Sequence, residues 1–282
     1  MTLPRFLGIG AMKAGTSMLH TLLSEHPQVA MAAHRKEVMF FDRHWARGVP
    51  WYEAHFDSSS PRVPGEVTPG YLFHPEAAQR IHAVVPDVRL FAVLRDPVER
   101  AYSQYKFFVK EHGYAHGVDA FLTEHPNAIE RGLYATQLQR FRACFPSDQL
   151  LVLLFEDLIV DPVGQTQRVF AHIGVDATFA PPSAGKRLNV SERPRWHRAY
   201  ALGRRTVGWM YNHDLAWVVD GLKRTGLRRV FFSGRTKRQA FEPLRDDTRA
   251  RLTAHYADDV SALEDLLQRP LGDRWQLGTA NA

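Results

Sequence analysis

A short glycine-framed segment near the start of the chain carries the residues best suited to hold an anion. It reads Gly10-Ala-Met-Lys13-Ala-Gly15-Thr16-Ser17. Backbone N–H groups in such a loop turn toward an anion, and a following helix adds the positive end of its dipole. A Walker A loop reads G-x-x-x-x-G-K-[ST], but Thr16 stands where its lysine belongs. We therefore expect Lys13 to lie beside one bound phosphate. The alternative is an ordinary strand-to-helix turn with an incidental lysine.

A second candidate phosphate site surrounds Arg95. This residue ends the apolar run at 89–94, and its guanidinium offers five N–H donors in a fixed fork. Ser103, two helical turns further on, adds a hydroxyl. The alternative is a surface ion pair of Arg95 with Asp96 or Glu99, with Ser103 in solvent.

The pair Lys36-Glu37, which precedes the apolar run at 38–41, is the candidate for proton transfer. A carboxylate can take the proton of an attacking hydroxyl. In an extended segment the two neighbouring side chains would point apart. Taken alone, the pair reads as a solvated charged turn.

The elements that must position these residues alternate along the chain. Strands are predicted at 6–10, 29–31, 89–94 and 150–155, and helices at 16–24, from Asp96 onward, at 165–173 and around 252–267. Asp96 caps its helix, Pro97 suits the first position, and Glu99 completes a capping-box pattern. The alternation predicts an α/β fold with a mostly parallel sheet between two layers of helices, like that of P-loop NTPases. Ligands of such folds bind at the carboxyl ends of the strands.

Composition sets further limits on the class of protein. The chain has 282 residues with a net charge of +6, and we expect one domain over 1–282. Cys144 is the one cysteine, so an intrachain disulfide and a Cys₂ or Cys₄ zinc site are excluded. The charge is too small to argue for nucleic acid. Neither a transmembrane run nor a signal peptide is recognised, which favours a cytoplasmic protein.

One segment, 193–238, differs from the rest in composition. It contains twelve Lys and Arg residues, two acids and several interleaved aromatic residues. Such helices would suit an acceptor lid, an acidic polymer or peripheral contact with a membrane surface. Ordinary amphipathic helices, with aromatic residues packed inward, are the alternative.

Three segments in order resemble one enzyme family. They are Gly10-Ala-Met-Lys-Ala-Gly-Thr-Ser17, Lys36-Glu-Val-Met-Phe-Phe41 and Leu94-Arg-Asp-Pro-Val-Glu-Arg-Ala-Tyr-Ser103. This set is similar to the sulfotransferases, above all to the heparan-sulfate-type N- and O-sulfotransferases and their bacterial relatives. The resemblance covers roughly 4–195 and resumes near 250–275.

The resemblance implies a donor, 3′-phosphoadenosine 5′-phosphosulfate, and an acceptor hydroxyl or amine. It assigns the 5′-phosphosulfate to the loop residues Lys13, Ala14, Gly15, Thr16 and Ser17. It assigns the 3′-phosphate to Arg95 and Ser103, and more loosely to Lys186 or Arg187. No metal is implied, because these cations and the loop amides handle the charge.

The resemblance also implies the catalytic roles. Lys13 would stabilise charge on the leaving phosphate oxygen, and Glu37 would be the general base. Lys36, Glu66 and Tyr71 would lie near the acceptor, which we expect to be a carbohydrate, a glycolipid or a small natural product. Glu66 would orient the acceptor or the base; the alternative is an ordinary loop carboxylate. Val67 replaces a lysine of the family pattern, which argues against a strongly anionic acceptor.

Other functions remain open from the residues alone. The run Leu150 to Asp157 looks like a Walker B segment, so a P-loop kinase or NTPase is an alternative. A non-enzymatic protein that binds anions or membranes is another. Histidine is the base in other sulfotransferase branches, but His20, His34 and His44 read as surface residues.

Overall fold

The structure, a computed structural model, describes residues 2–33, 35–185, 241–272 and 274–275. Three predicted features lie outside these residues: the segment 193–238, the nucleotide contacts Lys186 and Arg187, and His34.

Five parallel strands form the central sheet. Their bounds are β1 Phe6–Gly10, β2 Val29–Met31, β3 Val63–Val67, β4 Arg89–Leu94 and β5 Leu150–Leu154. The spatial order is β2-β3-β1-β4-β5, so β1 lies between β3 and β4. Phe6 pairs with Gly65 on one side and with Arg89 on the other. The expected parallel α/β sheet is confirmed.

Helices flank the sheet. Those in the described part of the chain are α1 Thr16–Ser24, α2 Val49–Glu53, α3 Ala77–Val84, α4 Pro97–His112, α5 Val118–Glu124, α6 Asn127–Glu130, α7 Tyr134–Arg142, α8 Phe155–Val160, α9 Pro162–Ile173 and α10 Asp246–Leu267. Helices α1 and α9 contact each other and the sheet, while α10 contacts α4 and α7. Within the described ranges, no helix has the length and apolar composition needed to cross a bilayer.

Strand β3 is the strand of this sheet that the hydrophobic pattern missed. Its sequence, Val-Pro-Gly-Glu-Val, contains a proline, a glycine and a carboxylate, which are all depleted in strands. It forms because β1 and β2 both pair with it. The close approach is visible at Gly65, where a Cβ atom would lie 2.3 Å from the Phe6 ring.

The beginning of α4 follows the predicted cap, with one difference. The Asp96 carboxylate accepts hydrogen bonds from the N–H groups of Val98 (2.8 Å) and Glu99 (3.1 Å). The reciprocal half of the capping box is replaced, because the Asp96 N–H donates to Glu156 Oε1 (3.1 Å). The Glu99 side chain is therefore available to pair with arginines.

Two predicted boundaries shift. The last strand ends at Leu154, and Phe155 begins α8. Helix α9 begins at Pro162 rather than at 165, because the Asp161 side chain caps it by accepting from the Gly164 N–H (2.9 Å). It ends at Gly174, as predicted, with φ at 76°.

Candidate active site

Three loops meet at the carboxyl edge of the sheet because β3, β1 and β4 are neighbours. They follow Gly10, Val67 and Leu94. The Ala11 N–H donates to the Val93 carbonyl (2.7 Å) and the Leu72 N–H to the Ile9 carbonyl (2.8 Å), so the first two loops are each hydrogen-bonded to a neighbouring strand. The position is the crevice where sheets of this class bind ligands.

The loop at 11–15 turns through left-handed backbone conformations before α1 begins. Lys13 has φ at 72° and Gly15 has φ at 91°. A Cβ atom at Gly15 would lie 2.8 Å from the Phe155 ring, so this position requires glycine on two counts. No described side chain caps α1. The Met18 and Leu19 N–H groups donate to the Gly15 carbonyl (2.9 and 3.1 Å), whereas those of Thr16 and Ser17 begin the helix, where intrahelical acceptors are not available.

Lys13 is held in an environment that disfavours its charge. Its Nζ lies 4.2 Å from the centroid of the Phe107 ring on α4. Burial lowers the pKa of Lys13 from 10.5 to about 8; Glu111 opposes this, and repulsion by Arg95, Lys110 and Lys36 adds to it. An anion placed beside Lys13 would relieve both the desolvation and the repulsion.

Arg95 joins the two predicted phosphate sites. Its Nη1 lies 3.5 Å from the Lys13 carbonyl oxygen, and its guanidinium lies 4.7 Å from the centroid of the Phe155 ring. The alternative ion pair is also present but long, with Nη2 3.6 Å from Glu99 Oε2. Glu99 is held more closely by Arg249 on α10 (2.6 Å). Ser103 lies on α4, half-buried.

Lys36 connects the loop to the carboxylate of Glu37. Its Nζ donates to Ser17 Oγ at 2.5 Å and lies 3.4 Å from Glu37 Oε1. The expectation that Lys36 and Glu37 point apart is wrong, because residues 35–40 form neither helix nor strand. Lys36, predicted on the acceptor side, thus contacts the predicted donor loop.

Glu66 and Tyr71 are buried inside the protein, where a substrate cannot contact them. Both side chains are 0% exposed. Glu66 belongs to β3 rather than to a loop, and its carboxylate accepts hydrogen bonds from Tyr52, Thr68 and Tyr71 hydroxyls. In this structure neither side chain is accessible to an acceptor.

His20 and His44, which were predicted to be surface residues, are partly buried. Burial, with the charge of Lys36 next, lowers the pKa of His20 to about 4. Burial also lowers the pKa of His44, and Arg35, Arg47 and Arg43 add to the effect. Both imidazoles are therefore predominantly neutral near pH 7.

The acids of the Walker-B-like run hold other parts of the protein. Glu156 accepts from the Asp96 N–H and from the indole N–H of Trp275 (3.1 Å each). Asp157 pairs with Arg269 (2.7 Å). These contacts tie α8 to α4 and to the segment after α10.

The family model described as "Sulfotransferase domain" matches residues 3–191. The chain belongs to the sulfotransferase family. Membership agrees with the three motifs. Contacts within them join Arg95 to Lys13, and join Ser17 through Lys36 to Glu37. The kinase and non-enzymatic readings are set aside by it.

Similar proteins include two from eukaryotes. The human heparan sulfate glucosamine 3-O-sulfotransferase 6 is 35% identical over 182 residues, which cover 61% of this chain and 52% of that protein. The membrane-associated sulfotransferase kil1 of Dictyostelium discoideum is 39% identical over 114 residues, or 39% of this chain and 24% of that protein. This sulfotransferase thus spans about half or less of these curated relatives.

A solved sulfotransferase from Alicyclobacillus acidocaldarius matches almost end to end. It superimposes with a TM-score of 0.71 at 26% identity, covering 97% of this chain and 99% of that one. This similarity supports both the fold and the family.

Sequence reasoning missed two contributors to the site. They are Phe107 beneath Lys13 and the Lys36–Ser17 hydrogen bond. The Phe107 position is a turn beyond Ser103 on the same helix, so helical spacing offered a signal. The Lys36–Ser17 hydrogen bond joins residues 19 positions apart, for which no local pattern exists.

Proposed function

We propose that this sulfotransferase moves the sulfonyl group of 3′-phosphoadenosine 5′-phosphosulfate to a hydroxyl of a carbohydrate, glycolipid or small natural product. Carbohydrate acceptors have the best support, because the human relative is named for transfer to a glucosamine of heparan sulfate. Location in the cytoplasm stays a prediction.

One chain of contacts carries the proposal. Glu37, Lys36 and Ser17 are linked in series, and Ser17 lies in the first turn of the helix that follows the Lys13 loop. A candidate base is thereby held next to a candidate phosphate loop by a cation. Such a cation both orients the carboxylate and adds positive charge where a leaving phosphate would gain negative charge.

The residues present fit the doubly phosphorylated donor. Lys13, Lys36 and the first-turn amides of α1 would hold the phosphosulfate. Arg95, with Ser103 on the following helix, would hold the 3′-phosphate. Arg95 suits this role because its bond to Glu99 is long and its guanidinium stacks on Phe155, which leaves donors for a phosphate.

In the reaction, a bond forms between sulfur and the acceptor oxygen while the bond from sulfur to the phosphate oxygen breaks. Glu37 takes the proton that the acceptor hydroxyl loses. Lys13 balances the charge that grows on the phosphate oxygen. An aligned base of this kind contributes roughly 10²–10⁴ to the rate.

The test uses labelled donor with a panel of sugars, desulfated polysaccharides, glycolipids and phenols. We expect wild-type protein to label at least one of them. Glu37→Gln should lose at least about 100-fold in kcat and bind adenosine 3′,5′-bisphosphate as the wild type does. Glu53→Gln, a half-buried glutamate on α2, is the matched control and should behave as the wild type.

Two results would overturn parts of the proposal. Wild-type turnover by Glu37→Gln would remove this residue as the base. Failure of the wild type to bind the bisphosphate, together with magnesium-dependent hydrolysis of ATP, would remove the donor assignment.

A further inference from the structure

The three backbone amides that follow Glu37 each donate to a different side chain of one buried segment. The pairs are Val38 N–H with Glu66 Oε2 (3.1 Å), Met39 N–H with Thr68 Oγ1 (3.3 Å) and Phe40 N–H with Tyr71 Oη (2.9 Å). We call Glu66, Thr68 and Tyr71 the amide clamp. All three lie on β3 or in the turn after it, next to the strand that leads into the Lys13 loop.

The clamp is itself a closed hydrogen-bond network. Glu66 Oε2 accepts from the Thr68 hydroxyl (2.6 Å), and Oε1 accepts from the hydroxyls of Tyr71 and Tyr52 (2.7 Å each). With the Val38 N–H, the carboxylate accepts four hydrogen bonds. Four donors satisfy an ionised carboxylate fully, so the buried charge is stabilised.

Burial raises the pKa of Glu66, and the hydrogen bonds from Thr68, Tyr71, Tyr52 and the Val38 amide oppose the rise. Loss of either tyrosine hydroxyl removes one of the four donors to this carboxylate and leaves three.

The clamp fixes the amides of residues 38–40 in the way that a helix or a sheet fixes its own amides. Residues 35–40 have no helix or strand to fix their amides. Met39 has φ at 57°, a left-handed conformation that is unfavourable for an L-residue. Side-chain acceptors on a buried strand hold this segment where a ladder of backbone bonds is missing.

We propose that Glu66, Thr68 and Tyr71 are positioning residues for sulfonyl transfer, which act by fixing the backbone that carries Glu37 rather than by touching the acceptor. This inference rests on the proposed role of Glu37. A misplacement of a catalytic group by about 1 Å costs roughly 100-fold in rate, so the clamp governs kcat and leaves donor binding intact.

Two buried tyrosines give a matched pair of variants. Tyr71→Phe and Tyr52→Phe each remove a hydroxyl that donates to the same oxygen, Glu66 Oε1, and both side chains are 0% exposed. Only the Tyr71 hydroxyl also accepts from an amide of the segment, that of Phe40. We expect similar losses of thermal stability in the two variants.

The two tyrosine variants should differ in kcat. Tyr71→Phe should lower kcat about 10- to 100-fold with the Kd for adenosine 3′,5′-bisphosphate unchanged, while Tyr52→Phe should retain kcat within about threefold. A purely structural role predicts equal kcat in the two variants, and that result would overturn the inference. Rescue provides a second comparison: Thr68→Ser keeps the hydroxyl and should keep kcat, and Thr68→Val should lose it.

Hydrogen exchange of the segment tests the clamp without any turnover. Amides 38–40 should exchange faster in Tyr71→Phe than in Tyr52→Phe. Equal exchange would overturn the clamp whether or not the protein transfers sulfonyl groups. If the wild type showed no transfer, the proposed function would fail, and this comparison would still decide whether the clamp fixes the segment. Faster exchange with wild-type kcat in Tyr71→Phe would also refute the positioning role.

Discussion

The lowered pKa of Lys13 predicts an unusual pH dependence of nucleotide binding. In the protein without nucleotide, burial lowers its pKa from 10.5 to about 8, with Glu111 opposing and Arg95, Lys110 and Lys36 adding to the effect. Half of the Lys13 side chains are then uncharged at about pH 8. Since the proposed contact of Lys13 with a phosphate needs the charged form of the lysine, raising the pH through this value should weaken nucleotide binding.

The magnitude follows from linkage. A bound phosphate returns the pKa of Lys13 toward its ordinary value, so the complex stays protonated over a range where the unbound protein does not. The affinity for the nucleotide is then at its highest below about pH 8 and falls about tenfold per pH unit above it. Between pH 7 and pH 9 the Kd for adenosine 3′,5′-bisphosphate should rise about tenfold.

Isothermal titration calorimetry in two buffers measures the same event a second way. At pH 9, binding should take up about 0.9 proton per nucleotide, against about 0.1 at pH 7. Lys13→Arg is the control, because a guanidinium stays charged throughout this range. Its Kd should be nearly independent of pH.

The control also separates Lys13 from Lys106. Burial, then repulsion by Arg95, lowers the pKa of Lys106 as well. A pH dependence that persists in Lys13→Arg would belong to another group. A wild-type Kd that changes less than about twofold between pH 7 and pH 9 would refute the assignment of Lys13 to a phosphate.

Two further variants test other parts of the site. Arg95→Met should weaken binding of adenosine 3′,5′-bisphosphate by roughly 10- to 100-fold, the value of one or two charged hydrogen bonds, and leave adenosine 5′-monophosphate unaffected; an equal loss for both nucleotides in titration calorimetry would contradict a 3′-phosphate contact. Gly15→Ala should destabilise the protein by about 1–3 kcal/mol in urea unfolding, because φ is 91° and the new Cβ would lie 2.8 Å from the Phe155 ring. Gly113→Ala, with φ at 69° and nothing within 4 Å, isolates the backbone cost; a loss from Gly15→Ala no larger than this would refute the ring contact.

Much of the fold was predictable from local chemistry. The run at 90–94 is apolar throughout because this part of β4 is buried on both faces, and α1 begins and ends where its pattern predicts. The cap at Asp96 was predictable because a carboxylate before Pro97 can reach the next amides without help from distant residues. The turn from Gly10 to Ser17 was predictable from its spacing, since the strand before it and the helix after it are both local in the chain.

The tertiary structure alone decided how the carboxylates are used. Glu37 and Glu66 both belong to short polar stretches, and nothing local separates a candidate base from a buried anchor. Glu66 became the anchor because β1 and β2 enclose β3, and hydroxyls from α2 and from two later residues converge on it. Lys36 reached Ser17, 19 positions away, because an irregular segment folds back over the first helix. Such contacts depend on which strands lie side by side, and strand order is a property of the whole chain rather than of any pattern along it.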